Sequence, residues 1–294
     1  MSDPVTQIGE YKLRKLLGNP GQTSQVYEVV EPRSNRHFAM KVLLPEMADK
    51  KDHRKRLFHE AAIGMKMRHE NVINIIKVDK SPTTPHFIME YFPAGSLRDR
   101  LMSKDPREKE FLKQNAKKIF KQVATGLAYM NASGIVHCDM KPDNILVNAS
   151  VQTKIIDFAI AKRVQKGFFD KLFHRSGKPQ GTPSFMAPEQ IAGEILDGRS
   201  DIYSYGATLF ELTTGRPPFR GTTINDLLRK HLAEKPAPPH SFNSDVTEEF
   251  SNFVVKLIAK KREQRPESFH EVLMELKKVK VYKSVVDADE EEQM

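Results

Sequence analysis

His137-Cys138-Asp139-Met140-Lys141-Pro142-Asp143-Asn144 runs directly into Ile145-Leu146-Val147, and Asp157-Phe158-Ala159 follows a little further on. The first run packs two carboxylates, an amine and an amide into one short polar stretch. Two apolar segments, Ile145–Val147 and Lys154–Ile156, read as short strands and separate it from a further carboxylate, Asp157. Such a set suits phosphoryl transfer, which asks little covalent chemistry of a protein. It needs a group that orients the attacking hydroxyl, cations on the phosphates and hard ligands for a metal. Asp139 can accept the hydroxyl's proton, and Lys141 can reach the migrating phosphoryl group. Asn144 and Asp157 supply oxygen ligands of the kind magnesium prefers.

Outward from that stretch, the chain is 294 residues long, with a formal charge of +9 and one cysteine, Cys138. One thiol cannot close an internal disulfide, which fits a reducing compartment. No run approaches the ~20 apolar residues of a membrane span. The opening, Met1 to Glu10, is too polar for a signal peptide. The expectation is a soluble, cytoplasmic chain without a membrane span, and a longer parent protein could carry an anchor past residue 294. The basic residues are scattered through helix-like segments, so no specific nucleic-acid surface is expected; the charge favours acidic partners and nucleotide phosphates.

Short apolar runs fill the first ninety residues. Tyr11–Leu17, Val26–Val30, Phe38–Val42 and Phe87–Glu90 read as strands, with a helix over about 52–68 carrying Leu57, Phe58, Ala61, Ala62 and Met65 at helical spacing. After Gly95 the period changes to that of helices, with Ile119, Val123, Leu127 and Met130 marking a long one. The pattern predicts an α+β fold with two lobes, a small β-rich one containing one key helix and a larger helical one. The divisions read as a lead-in over 1–10, a first lobe over 11–91, a second over 92–280 and an acidic, disordered tail over 281–294.

The motifs now on the page resemble those of the protein kinase family, and the likeness runs from about Tyr11 to Lys278. Phe38-Ala39-Met40-Lys41 is similar to the family's third-strand lysine motif, and Glu60 stands where that lysine's ion-pair partner is found. Phe87-Ile88-Met89-Glu90-Tyr91 resembles the hinge that reads adenine through the backbone of Glu90 and Phe92, with Met89 as gatekeeper. Gly181-Thr182-Pro183 through Ala187-Pro188-Glu189 resembles the end of an activation segment, Asp201 opens the helix that anchors the catalytic loop, and Arg265 sits where an arginine pairs with Glu189. Six such parts in order make the match specific.

The resemblance implies ATP and a divalent metal, magnesium or alternatively manganese, held by Asn144 and Asp157. Asp139, Lys141, Lys41, Glu60 and Thr182 would do the chemistry. Gly18, Asn19, Gly21, Val26, Ala39, Lys41, Met89, Glu90, Phe92 and Leu146 would bind the nucleotide. Lys141 and Thr182 resemble serine/threonine kinases, and the wording around Gln190 and Thr214-Gly215-Arg216-Pro217-Pro218-Phe219 looks most like the bacterial (Hanks-type) branch. Protein serine and threonine hydroxyls would be the substrates, with the enzyme a monomer or weak dimer. Two alternatives stay open: a pseudokinase scaffold that responds to nucleotide, and a small-molecule kinase of related fold.

Four departures qualify the match. The glycine-rich loop keeps Gly21, with Asn19 and Ser24 at the other glycine positions and Gly18 adjacent, which predicts weaker ATP binding. Ala159 closes the Asp157-Phe158 motif where the family has glycine, predicting fewer backbone flips. Cys138 replaces the arginine that would receive an activation-loop phosphate, and Ser176 is the only hydroxyl residue between Lys162 and Gly181; activity independent of activation-loop phosphorylation follows as an expectation, with Cys138 a buried, inert thiol. Gly64, one turn past Glu60, leaves no side chain to pack, predicting a loose lobe contact and a Lys41–Glu60 pair often broken at rest. Phe168, Phe169, Leu172 and Phe173 would form one apolar face if helical, packed on the large lobe or, alternatively, blocking the cleft or docking a partner. Asp143 lies near where some family members select basic residues.

Overall fold

A computed structural model describes residues 6–18, 21–164 and 179–286. Asn19, Ser176, Phe168, Phe169, Leu172, Phe173 and the acidic run from 287 lie outside the described residues. The chain forms two compact units, one reaching to Gly95 and taking back Ile156–Ala159, the other made of Ser96–Ile155 and the residues from Ile160 onward.

The first unit is an antiparallel sheet with helices. Its strands are β1 (Gln7–Ile8), β2 (Tyr11–Leu16), β3 (Ser24–Glu31), β4 (Arg36–Leu43), β5 (Ile75–Asp79) and β6 (His86–Glu90), in spatial order β1-β2-β3-β4-β6-β5. Alternation sends Phe38, Met40 and Val42 into a core with Ile8, Tyr11, Val29 and Ile88. Ala39 and Lys41 are thereby left on the opposite face. Each fully buried aliphatic side chain here contributes about 1.5–3 kcal/mol. A short helix, α1 (Pro45–Ala48), precedes α2 (Lys51–Gly64).

Helix α2 ends at Gly64, short of the expected Arg68, and buries Leu57, Glu60, Ala61, Ile63 and Gly64. Ala62 and Met65, expected on its inner face, are exposed. The helix is set against the sheet edge by Arg54. Its Nη1 donates to Ala48 O, Ser81 O and Pro82 O at 3.1 Å each, and its Nη2 to Lys80 O at 3.0 Å.

A two-residue strand, β7 (Gly95–Ser96), leads into the second unit, which is mainly helical: α3 (Leu97–Met102), α4 (Pro106–Gln114), α5 (Ala116–Ala132), α6 (Pro188–Ile191), α7 (Gly198–Thr214), α8 (Ile224–Ala233), α9 (Glu248–Leu257) and α10 (Phe269–Lys278). Small strands β8 (Ile135–Val136), β9 (Ile145–Val147), β10 (Thr153–Ile155) and β11 (Lys162–Arg163) pair antiparallel as β9–β10 and β8–β11. Every residue of α7 from Ser200 to Thr213 is buried. Asp197 caps this helix by accepting the Arg199 N–H, and Tyr205 reaches across to donate to Phe120 O at 2.9 Å. A helix wrapped on all sides is a fixed post, and the stretch that opens at His137 is tied to its first turn. Residues 281–286, assigned to the tail by composition, pack on this unit instead. Val281, Tyr282 and Val285 are buried, and Tyr282 bridges to Val246. The apolar side chains within 281–285 explain the difference, since the acidic run begins only after them.

Candidate active site

The first unit builds a cation site. The β3–β4 register sets Lys41 beside Val26, and β4–β6 sets Ala39 beside Met89. Lys41 Nζ donates to Glu60 Oε1 at 2.9 Å and Oε2 at 2.7 Å, and lies 3.9 Å from Asp157 Oδ1. Burial opposes the charge on Lys41, but the Asp157 and Glu60 carboxylates outweigh it and hold the ammonium above its ordinary range. Burial likewise pushes Glu60 up, Lys41 pulls it down and Asp157 pushes it up again, for a balance of about 7.

Asp157 adopts φ +68°, a conformation that non-glycine residues hold only where surroundings fix it. Its Oδ1 accepts the Ala159 N–H at 3.1 Å, and the neighbouring Phe158 ring is fully buried.

Gly64 corrects an expectation. The space above it is filled: a Cβ there would stand 2.4 Å from Ile75 Cδ1 and 3.0 Å from Phe158 Cε2. Ile75 and the Phe158 ring supply the packing that a side chain at 64 would otherwise give, and the Lys41–Glu60 pair beside them is formed. The sequence left nothing to pack at Gly64 because the strand carrying Ile75 was not foreseen.

The second unit builds the loop 137–144 around Asp201. Its fully buried carboxylate accepts the His137 N–H at 2.8 Å, the Cys138 N–H at 3.0 Å and Asn131 Nδ2 at 2.9 Å. Two successive N–H groups turned toward one carboxylate accompany a left-handed Cys138, φ +70°. The next residue, Asp139, is thereby presented with its side chain held at both oxygens. Oδ1 accepts the Thr182 N–H at 2.8 Å, and Oδ2 lies 3.0 Å from Lys141 Nζ. Lys141 Nζ also donates to Thr182 Oγ1 at 2.7 Å, and Asn144 Nδ2 donates to Asp139 O at 2.8 Å. The four residues Asp139, Lys141, Asn144 and Thr182 are thus brought together. The Cys138 thiol is buried and donates to Val136 O at 3.4 Å, and burial pushes its ionisation well above the usual thiol range. The thiol is buried, as expected.

Further along, Arg265 forks onto Glu189 with Nη1–Oε1 at 2.8 Å and Nη2–Oε2 at 2.9 Å, and Ser200 Oγ donates to Glu189 Oε1 at 2.7 Å. Burial works against the Glu189 charge, but Arg265 and Ser200 hold its carboxyl below the ordinary range. Asp143, its side chain 46% exposed, accepts from Arg98 Nε at 3.2 Å while the same guanidinium forks onto Glu211 at 2.8 and 2.9 Å.

Of the expected nucleotide-binding residues, Val26, Ala39, Met89 and Glu90 lie on β3, β4 and β6 of the first unit, with Gly18 and Gly21 within the β2–β3 connection. Phe92 follows β6, and Leu146 lies on β9 of the second unit. Glu90 is pinned at both ends, its N–H donating to Asn74 O at 3.0 Å and its Oε1 accepting the Asn74 N–H at 2.7 Å. Sequence reasoning missed Arg54, Arg98, Asn131 and Gln190. Their partners lie far off in the chain or are backbone carbonyls, and neither leaves a spacing signal.

A buried lysine–glutamate pair beside an aspartate, and a carboxylate loop with its own lysine and asparagine, are the parts of a phosphoryl-transfer domain. The family model described as protein kinase domain matches residues 11–276, and the chain belongs to that family. It is 31% identical over 288 residues to a probable serine/threonine-protein kinase of Clostridium acetobutylicum, covering 96% of this chain and 41% of that one. It is 29% identical over 280 residues to a probable serine/threonine-protein kinase of Streptomyces coelicolor, covering 94% and 41%. It is 29% identical over 283 residues to the serine/threonine-protein kinase PknB of Mycobacterium leprae, covering 95% and 44%. The chain therefore spans about two fifths of the length of the curated relatives it matches. Among the described residues, no helix is long and apolar enough to cross a membrane.

Proposed function

We propose that the chain is a serine/threonine protein kinase domain that transfers the γ-phosphate of ATP to protein hydroxyls. The observation that carries this reading is the fixed Asp139 carboxylate, held at Oδ1 by the Thr182 N–H and at Oδ2 by Lys141. A carboxylate held this way is ready to orient an acceptor hydroxyl and take its proton. Lys141, shared between Asp139 and Thr182, counters the charge developing on the transferred group. Lys41, kept charged by Glu60 and Asp157, is suited to the α- and β-phosphates, with Val26, Ala39, Met89, Glu90 and Phe92 around the base. An intact Lys41–Glu60 pair is what catalysis requires and what a scaffold has no use for. ATP as donor supports a cytoplasmic place for the reaction.

The donor set fits magnesium. Asn144 spends its Nδ2 on Asp139, leaving Oδ1 as its ligand atom, and the Asp157 side chain is 38% exposed, so both offer hard oxygens. Asn144 and Asp157 would hold the metal, whose charge when bound would help neutralise the phosphates.

Activity independent of activation-loop phosphorylation belongs to the same reading. Cys138 cannot pair with a phosphate, and its backbone is already fixed by Asp201. Replacement of Ser176 by alanine should leave transfer to a protein substrate intact; a folded Ser176→Ala variant without activity would remove this part of the proposal.

A further inference from the structure

With Cys138 before the catalytic aspartate, no side-chain charge at that position ties the catalytic loop to the chain around Thr182. A neutral tie is present instead. Gln190, in α6, is 5% exposed, and its Nε2 donates to Cys138 O at 2.8 Å and also to Gln180 O. Both acceptors adjoin the rung that holds the catalytic carboxylate. Cys138 precedes Asp139, and Gln180 lies just before Gly181 and Thr182. The Gln190 amide and the Thr182 N–H are therefore two neighbouring rungs joining the same two stretches of chain.

Two backbone conformations accommodate this amide. Cys138 is left-handed at φ +70°, and Gly181 sits at φ +127°. A Cβ on Gly181 would come within 2.7 Å of Gln190 Nε2 and 3.1 Å of Cys138 O. The other end of the amide is informative too: Gln190 Oε1 is buried without a hydrogen-bond partner. That lone acceptor carries a desolvation cost that an apolar side chain of the same length would not. Stability alone therefore does not account for a glutamine here, whereas its two donors do.

We infer that Gln190 is a positioning residue for phosphoryl transfer, its amide holding residues 180–182 against the catalytic loop so that the Thr182 N–H stays on Asp139. The inference rests on Asp139 being the group that orients the acceptor hydroxyl. If Asp139→Asn left transfer intact, that reading would fail whatever Gln190 did.

The test uses the full chain with magnesium-ATP and a generic basic protein as acceptor. Gln190→Met removes both donors and the unpartnered acceptor. It should lower kcat roughly 10- to 100-fold through loss of alignment, with KM for ATP changed by less than about twofold. Its melting temperature should stay close to the parent's, since loss of the unpartnered Oε1 offsets the Cys138 carbonyl left without its donor. Gln190→Glu adds a readout that packing alone would not move. Burial among carbonyls raises that carboxyl's pKa, and its protonated form regains one donor. The ratio of its kcat to the parent's should therefore climb as pH is lowered from about 8.5 to about 6. An unchanged kcat in Gln190→Met, a loss that only tracks a lower melting temperature, or a pH profile of Gln190→Glu parallel to the parent's would overturn the inference.

Discussion

Thr182 donates its backbone N–H to Asp139 Oδ1 at 2.8 Å, joining residues 43 apart in the chain. The same threonine accepts from Lys141 through its hydroxyl at 2.7 Å. One residue therefore fixes the carboxylate through its backbone and the lysine through its side chain, and the two roles can be separated by mutation.

Thr182→Ala keeps the N–H and deletes the hydroxyl. Lys141 then loses one partner while Asp139 stays in place, so kcat should fall by about tenfold, the worth of one charge-assisted hydrogen bond. Steady-state kinetics with a protein acceptor would check this, and KM for ATP should not move.

Gly64→Leu should destabilise the protein. The added side chain must displace Ile75 and the Phe158 ring, and overpacking of this kind costs about 1–3 kcal/mol or more. Because Phe158 adjoins Asp157, activity should drop with stability. Denaturant unfolding of parent and variant measures the first, and a rate assay the second.

Glu60 sets opposite pH trends for stability and rate. Its pKa of about 7 in the fold lies above the ordinary 4.5, so the folded state binds its proton more tightly. The stability it contributes is full below about 4.5 and is lost as pH rises through about 7. The ion pair with Lys41 needs the carboxylate, so transfer should instead rise with pH through the same window. A rate–pH profile should show this acid limb in the parent, and Glu60→Gln should lower the rate and flatten the limb.

Arg265→Met leaves Glu189 buried and without its cation. Breaking a buried pair from one side costs about 3–5 kcal/mol. The double change Arg265→Met with Glu189→Gln removes the stranded charge and should recover part of that loss. Calorimetry on the single and double variants would read the difference.

Much of this arrangement was legible in the sequence because its parts are local. The catalytic loop spans Asp139 to Asn144, the strand carrying Lys41 alternates cleanly, and Glu60 falls at a helical position nineteen residues on. What escaped was set by tertiary packing. Strand β5 hides in Ile75-Ile76, where one isoleucine is 1% exposed and its neighbour 41%, so a hydrophobic doublet gave no clear period. Without that strand, Gly64 read as a gap, when Ile75 fills it. Gln190 and Arg98 were overlooked for a similar reason: their partners lie 52 and 113 residues away.

The most direct test of the account is transfer of labelled γ-phosphate from ATP with magnesium to a generic basic protein, by the parent and by Asp139→Asn side by side. The account predicts transfer by the parent and a loss of roughly 10²- to 10⁴-fold in the variant, with magnesium-dependent ATP binding retained by both. Equal transfer by the two, or ATP binding with no transfer by the parent, would contradict it.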